Sequence, residues 1–330
     1  MRDTTGISRR VFIGSLATAG AVAATPRPAS AATKRPLKVS PIREGGVDEI
    51  LKVTPVAIKV GAERPFRVVH ASDTHLNFWD VTDFCGNAAK EAFFGERWVR
   101  FPQALTSFLA TVDYAASRGL PLLHTGDLID WNTRGNAAVC GRVLKGVDFF
   151  CSLGNHEYHS SDGKSRALTH EECRANVAGF VRNDLTVASR VVNGVNLVAM
   201  DNGERNLREQ TIARVKTEFA KGMPVVLMCH IPPTYTPKFI ENGFAMKKRI
   251  LRGQGVPEDE LAALRPGGPI EPYYDPRTRG FWDWARGQSA LKAVLCGHAH
   301  VEERDRFSDT ADMYVAGGNY EGYAYDITFS

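Results

Sequence analysis

Five short apolar runs in this chain each lead directly into a cluster of polar residues, and this repeated pattern limits most strongly what the chain can fold into. The runs are four to six residues long, and most are rich in β-branched or aromatic residues, as buried strands are. In α/β sheets, ligands bind at the carboxyl ends of the strands. We therefore expect all five clusters to project from one edge. They are Ser72-Asp73-Thr74-His75, Thr125-Gly126-Asp127, Gly154-Asn155-His156-Glu157, His230-Ile231-Pro232-Pro233 and Gly297-His298-Ala299-His300.

Helical patterns alternate with these strands. Residues 104–117, 171–181 and 210–220 show apolar residues at helical spacing, which predicts an α/β layered domain. The pair Asn193-Gly194 is typical of a hairpin turn between two strands, so the sheets should be mixed.

The first 31 residues read as a targeting segment. Ser8-Arg9-Arg10-Val11-Phe12-Ile13 precedes a mildly apolar run, and Ala29-Ser30-Ala31 has the small residues expected before a signal-peptidase cut. The hexapeptide closely resembles a twin-arginine export signal, which implies the Tat machinery as a partner and a periplasmic or secreted protein. The apolar run is too short to span a bilayer, so no stable membrane insertion is expected.

The basic charge of the chain belongs mostly to this leader. The first 31 residues hold four arginines and one aspartate, so the remainder carries only +1 of the formal net charge of +4. A near-neutral mature chain gives no support for non-specific binding to nucleic acid. Of six cysteines, Cys151, Cys229 and Cys296 lie in apolar runs and are expected to be buried thiols, while the disulfide pairing of the others stays open.

The strand-end clusters contain five of the nine histidines, two aspartates and one asparagine. Imidazole, carboxylate and amide oxygen suit divalent Mn, Zn, Fe, Ni or Mg and do not suit copper(I). A pair of metals needs one carboxylate to bridge them and two further sets of ligands, and the clusters supply that inventory. By contrast, His70 and His124 lie within strands and are expected to be buried and hydrogen-bonded. His159 and His170 are expected at the surface, with His159 a minor candidate for contacts behind the ligands.

The order D-x-H, G-D, G-N-H-E, H, G-H-x-H resembles the calcineurin-like metallophosphoesterase family over residues 66–318. The resemblance implies a four-layer β-sandwich flanked by helices, with the active site at the strand C-terminal ends. It further implies that Asp127 bridges two divalent metals. The other implied ligands are Asp73, His75 and His300 for one metal, and Asn155, His230 and His298 for the other.

The resemblance also implies a reaction. A hydroxide bridging the two metals would attack a phosphomonoester or phosphodiester in a small phosphorylated substrate, and His156 would contact the phosphate and protonate the leaving oxygen. Glu157 would either orient and charge-stabilise His156 or be a solvated acid. The alternative function is an exported metal- or phosphate-binding pseudoenzyme without turnover. Asp130 stands where the purple acid phosphatases have tyrosine, which disfavours a tyrosinate-iron site.

The domain prediction is a signal peptide over 1–31, a linker over 32–46 and one catalytic domain over 47–330. Two insertions, 77–98 and 232–288, are rich in aromatic residues, and the second also carries lysines and an arginine. Loops of this length are commonly functional. Their aromatic rings would either stack a base or sugar of the substrate or form a small packed cap.

Overall fold

The chain folds into two mixed sheets that pack face to face. The computed structural model describes residues 50–84, 87–160, 168–233 and 274–330. The first sheet contains β1 (Lys52–Ile58), β2 (Phe66–Ala71), β3 (Leu122–Thr125), β4 (Phe149–Ser152) and β11 (Tyr323–Phe329). The second contains β5 (Val187–Val192), β6 (Val195–Met200), β7 (Val225–Met228), β8 (Leu291–Cys296), β9 (Glu303–Arg306) and β10 (Asp312–Val315).

Each sheet contains a run of neighbouring parallel strands. The first sheet has the order β1-β11-β2-β3-β4 and the second the order β5-β6-β7-β8-β10-β9. Strands β2, β3 and β4 are parallel to one another, as are β6, β7, β8 and β10. The hairpin between β5 and β6 is confirmed, with Asn193 at φ 46° and Gly194 at φ 79° as a two-residue turn of this kind requires.

Helices cover the outer faces of the two sheets, which confirms the predicted α/β sandwich. Helix α3 (Ala104–Ser117) contacts β2 of the first sheet, and α6 (Glu209–Phe219) and α7 (Pro276–Arg286) pack on the second. The described helices are α1 (Val81–Phe84), α2 (Ala88–Arg100), α3 (Ala104–Ser117), α4 (Arg134–Val143), α5 (His170–Ala178), α6 (Glu209–Phe219) and α7 (Pro276–Arg286).

Two layers of apolar side chains hold the fold together. The first lies between the sheets, where Val68 and Leu123 of one sheet meet Val226 and Leu295 of the other. The second lies between the second sheet and its helices, and Trp282 is only 2% exposed within it. Burial of a large aromatic side chain in such a layer stabilises a fold by about 2–3 kcal/mol. For Trp282 the structure therefore supports the packed cap over a role in stacking substrate.

Several predicted features have a plain outcome in the structure. The cysteines within the described ranges are all free and buried thiols, Cys151, Cys229 and Cys296 among them. Among the described residues, no helix combines the length and the apolar character needed to cross a bilayer. The predicted leader (1–31), the linker (32–46) and the middle of the second insertion (234–273) lie outside the described residues.

Candidate metal centre

The strand-end clusters meet at one edge of the sandwich, as the pattern predicts. Two clusters come from the second sheet and three from the first, so the donor groups converge in the cleft where the two sheets meet. Half of the donors, Asp73, His75, Asp127 and His230, are at most 1% exposed, and the other half are partly exposed. The residues follow their strands in this way: Asp73 and His75 follow β2, Asp127 follows β3, Asn155 and His156 follow β4, His230 follows β7, and His298 and His300 follow β8.

The first group of donors contains Asp73, His75, Asp127 and His300. One ligand atom from each lies within 4.8 Å of the others. The His300 Nε2 atom is 3.1 Å from both His75 Nε2 and Asp73 Oδ1, and His75 Nε2 is 3.7 Å from Asp127 Oδ2. These nitrogen and oxygen atoms therefore point at a common centre.

The second group shares Asp127 with the first. The His230 Nε2 atom lies 3.2 Å from Asp127 Oδ2, 3.1 Å from Asn155 Oδ1 and 3.2 Å from His298 Nδ1. The carboxylate of Asp127 thus stands between two sets of converging donors. Burial opposes the charge on His230, but the Asp127 carboxylate outweighs this effect and raises the pKa of His230 to about 10.

The backbone at five of these residues lies in the left-handed region. Among the described non-glycine residues, positive φ values occur at Asp73 (55°), His75 (52°), Asp127 (52°), His298 (68°) and His300 (58°), and at only two positions outside the cluster. This conformation is uncommon for residues with a side chain and costs on the order of 1 kcal/mol each. Local strain of this kind is characteristic of functional sites.

A glycine lets the last cluster approach the first. A Cβ atom on Gly297 would lie 1.8 Å from Ser72 Oγ and 2.4 Å from Asp73 Oδ2, so any other residue there would have to displace the side chains of Ser72 and Asp73. The close approach allows the backbone N–H of His298 to donate to Asp73 Oδ2 at 2.8 Å. Gly297 therefore sets the distance between the β2 and β8 clusters.

Asp130 connects both sides of the site, a role that the sequence analysis did not predict. Its Oδ1 accepts from His75 Nδ1 at 3.1 Å and lies 3.2 Å from His156 Nδ1, which also donates to the Asp130 backbone carbonyl at 2.8 Å. Arg97 of α2 donates to both carboxylate oxygens. Burial opposes ionisation, but the hydrogen bonds from His156, His75 and Arg97 hold the pKa of Asp130 well below its usual range. Because Arg97 already supplies a cation, His75, Asp130 and His156 are a hydrogen-bonded group and not a third metal site.

Glu157 holds two of the clusters together. It is 2% exposed, and its carboxylate accepts backbone N–H groups from Asp127 (3.0 Å), Leu128 (2.8 Å) and Gly154 (2.7 Å). The expectation of a solvated acid is wrong, because the side chain is buried. Glu157 influences the position of His156 only indirectly, because it holds the backbones of the loops that carry Asp127 and His156.

His156 lies at the edge of the donor groups with one ring nitrogen facing them. Its Nε2 is 4.0 Å from Asp127 Oδ2, and its backbone N–H donates to Asp127 Oδ1 at 2.9 Å. Burial disfavours the imidazolium, but the nearby carboxylates of Asp127 and Asp130 outweigh it and raise the pKa of His156 to about 9. The ring of His159 lies behind the ring of His156, with the centroids 4.4 Å apart. This contact agrees with the prediction that His159 is a minor candidate for contacts behind the ligands.

The two histidines expected to be structural are so. His70 and His124 are fully buried, and their Nε2 atoms lie 2.9 Å from Thr125 Oγ1 and 3.0 Å from Thr74 Oγ1. Burial lowers the pKa of both to about 3, so both are neutral at physiological pH. His170 is on the surface, as expected, and pairs with Glu204.

Comparison with known proteins agrees with the geometry. The family model for calcineurin-like phosphoesterases matches residues 66–302 of this chain. No curated protein sequence matches the chain significantly.

Among solved structures, the chain is similar to a dimetal phosphatase from Danio rerio (12% identity, 78% of this chain and 88% of that one, TM-score 0.45). It is also similar to a phosphopantetheinyl hydrolase from Mycobacterium tuberculosis (12% identity, 81% and 91%, TM-score 0.40). A third similar structure is a calcineurin-like phosphoesterase from Bacillus subtilis (10% identity, 79% and 83%, TM-score 0.40). Identities and TM-scores this low say nothing about the substrate of this chain.

Proposed function

Because the chain belongs to the calcineurin-like phosphoesterase family, we propose that it hydrolyses a phosphate ester of a small molecule with the help of two divalent metal ions. The observation that carries the proposal is the pair of converging donor groups that share Asp127. Eight polar side chains converge at this edge of the sandwich around the buried carboxylate of Asp127. A purely structural role does not explain why so many donor groups are gathered there.

The donors fit divalent cations. The Oδ1 atom of Asp73 is buried and accepts no hydrogen bond, although a buried carboxylate oxygen costs several kcal/mol when it is left without a partner. The Nε2 atoms of His75 and His300 are 3.1 Å apart, which suits two ligands on one cation at metal–ligand bonds of about 2.0–2.2 Å. One cation would be held by Asp73, His75, Asp127 and His300, and the other by Asp127, Asn155, His230 and His298.

The imidazole rings are oriented from behind, as ligands to divalent metals usually are. Asp130 accepts from His75 Nδ1, the carbonyl oxygen of Thr125 accepts from His230 Nδ1 at 2.8 Å, and Tyr320 Oη lies 3.3 Å from His300 Nδ1. The carboxylate and carbonyl acceptors fix the tautomers of His75 and His230 that leave Nε2 free of a proton and directed into the site, and the Tyr320 hydroxyl holds the His300 ring from its Nδ1 side. The metals themselves, when bound, would supply Lewis-acid stabilisation of the phosphate charge and lower the pKa of a water molecule.

His156 is the residue we assign as the general acid. A phosphate ester with a poor leaving group needs a proton on the departing oxygen, and an imidazolium whose pKa lies near the working pH can provide it. The pKa of about 9 keeps His156 protonated at neutral pH, and Nδ1 is engaged by the Asp130 carbonyl, so Nε2–H faces the site. Cations bound next to Asp127 would offset part of that carboxylate charge and bring the pKa of His156 closer to neutral.

A direct assay tests the proposal. The purified protein, reconstituted with Mn²⁺ or Zn²⁺, should hydrolyse p-nitrophenyl phosphate or bis(p-nitrophenyl) phosphate, and a comparison of the two would give the preference for monoester or diester. Elemental analysis should find two metal ions per chain. Two bound metals without hydrolysis of either ester would favour the pseudoenzyme, and one metal or none would refute the dinuclear centre.

The proposal extends to export. The Arg9-Arg10 pair, the apolar run after it and Ala29-Ser30-Ala31 support a twin-arginine signal and a periplasmic or secreted enzyme. That pathway carries proteins already folded, so the metals would be loaded before export. With the leader, +3 of the formal net charge of +4 would be removed from the chain.

A further inference from the structure

One more strand, besides the five that lead into the donor clusters, ends in a polar cluster that was not predicted from the sequence. Strand β6 runs directly into Asp201, Asn202 and Gly203, and β6 lies next to β7, the strand that precedes His230. From its contacts we infer that Asn202 is a positioning residue that fixes the second metal-binding group. The inference rests on the proposed function, because it concerns the loops that would hold the second cation.

One carboxamide satisfies three backbone groups of the His230 loop. Asn202 Oδ1 accepts the N–H groups of His230 at 2.8 Å and Ile231 at 3.1 Å. Its Nδ2 donates to the carbonyl oxygen of Ile231 at 2.8 Å. Asn202 is 2% exposed and both loop residues are buried, so water cannot replace these bonds.

The backbone and the ring of His230 are therefore fixed from opposite ends. Asn202 holds the main chain, while the carbonyl oxygen of Thr125 holds the ring through Nδ1 at 2.8 Å. The remaining ring nitrogen, Nε2, has no freedom except to point at Asp127 and Asn155. A shift of this loop would change both of those distances.

The turn formed by Asp201, Asn202 and Gly203 also contacts the loop that carries Asn155. A Cβ atom on Gly203 would lie 2.4 Å from the carbonyl oxygen of Gly154, so the turn runs directly over the backbone before Asn155. Asp201 accepts hydrogen bonds from Tyr158 Oη, just after His156, and from Arg174 at 2.7 Å. The turn thus joins two loops, one with Asn155 and the other with His230.

These contacts affect one donor group and not the other. Asn155 and His230 belong to the second group only, and the side-chain hydrogen bonds described for Asn202 go to His230 and Ile231. Loss of the carboxamide should therefore weaken the second cation selectively. Residues that orient metal ligands from behind typically change metal affinity by about 10–100-fold when mutated.

The test is a Mn²⁺ titration followed by electron paramagnetic resonance, with Asn202→Ala beside the wild type. The wild-type protein should bind two ions and give the exchange-coupled spectrum of a close pair. Asn202→Ala should bind the first ion normally and the second about 10–100-fold more weakly, with the spectrum of an isolated ion at intermediate concentrations.

Asn183→Ala is the matched control. Its carboxamide also bonds a backbone N–H and C=O, those of Cys151 within β4, at 3.0 and 2.9 Å, and its described bonds involve none of the donor residues. Thermal unfolding of the metal-free proteins would show what each variant costs in stability alone. Equal Mn²⁺ affinity in Asn202→Ala and wild type, or an equal loss in Asn183→Ala, would overturn the inference.

A second variant covers the case in which Asn202→Ala does not fold. Asn202→Asp keeps the volume and both accepting contacts but turns an oxygen towards the Ile231 carbonyl, so it should still lose at least about tenfold in affinity for the second ion. Normal affinity in Asn202→Asp would count against the positioning role. A wild-type protein that binds only one Mn²⁺ would instead refute the dinuclear centre itself, and the inference with it.

Discussion

Replacement of Asp130 by asparagine gives the sharpest test of the acid assigned to His156. The substitution keeps the shape of the side chain but removes a negative charge 3.2 Å from His156 Nδ1. An opposite charge at this range shifts a pKa by roughly 1–3 units. In the metal-free protein, where the pKa of His156 is about 9, it should therefore fall to about 7, and the protonated fraction at pH 8 would drop from about nine-tenths to about one-tenth. In the metal-loaded enzyme the pKa should fall by a similar amount from a starting value closer to neutral.

The assay is kcat as a function of pH for phenyl phosphate and p-nitrophenyl phosphate. The basic limb of the phenyl phosphate profile should move to lower pH by roughly 1–3 units, because this leaving group needs the proton. The p-nitrophenyl ester should respond much less. Metal content has to be measured in parallel, since Asp130 also orients His75.

Asp326→Asn is the control for this experiment. Asp326 likewise accepts from an arginine, Arg67, through Nε at 3.1 Å and through a second nitrogen, and it lies on β11 outside the site. Its loss should leave the profile in place. If the basic limb of the phenyl phosphate profile does not move in Asp130→Asn while the metal content is unchanged, the assignment of His156 as the general acid is refuted.

Four further outcomes are expected. His156→Ala should retain both metals and lower turnover by roughly 10²–10⁴-fold, less for p-nitrophenyl phosphate; equal losses for good and poor leaving groups would mean that His156 binds phosphate without acting as an acid. Asp127→Ala should weaken both metal sites in elemental analysis, and a variant that keeps two ions would exclude the shared ligand. His70 has a pKa of about 3 in the folded protein and about 6.5 in the unfolded chain, so the stability from its neutral form is present above pH 6.5 and is lost as the pH falls. The free energy of unfolding should decrease by about 2 kcal/mol from this residue between pH 7 and 5. In urea unfolding, His70→Gln should therefore show a smaller decrease in stability than the wild type over that range. Replacement of Arg9 and Arg10 by lysine should leave the precursor in the cytoplasm on fractionation; normal export and cleavage would make the leader an ordinary secretory signal.

The parts of the site that could be predicted are those encoded locally. A strand and the polar cluster after it are adjacent in the chain, so a buried run such as β7 followed by His230 is visible without a structure. The left-handed residues Asp73 and Asp127 also come directly after strands, but nothing in the residue types indicated the sign of φ. Local patterns therefore located the predicted ligands.

The supporting contacts could not be predicted in the same way, because they join residues far apart in the chain. Asn202 reaches the His230 loop, and Arg97 from the first insertion reaches Asp130. A sixth apolar run that ends in Asp201-Asn202-Gly203 was the one local signal available. Its lack of histidine made it look like an ordinary turn. For Trp282 the sequence left two alternatives open, since an aromatic ring in an insertion suits the core as well as it suits a ligand.

The strained loops explain why so many supporting contacts are needed. Each left-handed residue, such as Asp73 or His300, would relax to a commoner conformation if its loop were free, at a gain on the order of 1 kcal/mol. The bonds made by Glu157, Asp130 and Asn202 oppose that relaxation, and none of them uses an atom that faces the metals. The donor groups are thus held in place by the protein itself, so the binding energy of the cations need not be spent on folding the loops. This arrangement also accounts for the distribution of the supporting residues, because each of the three fixes a different pair of strand ends.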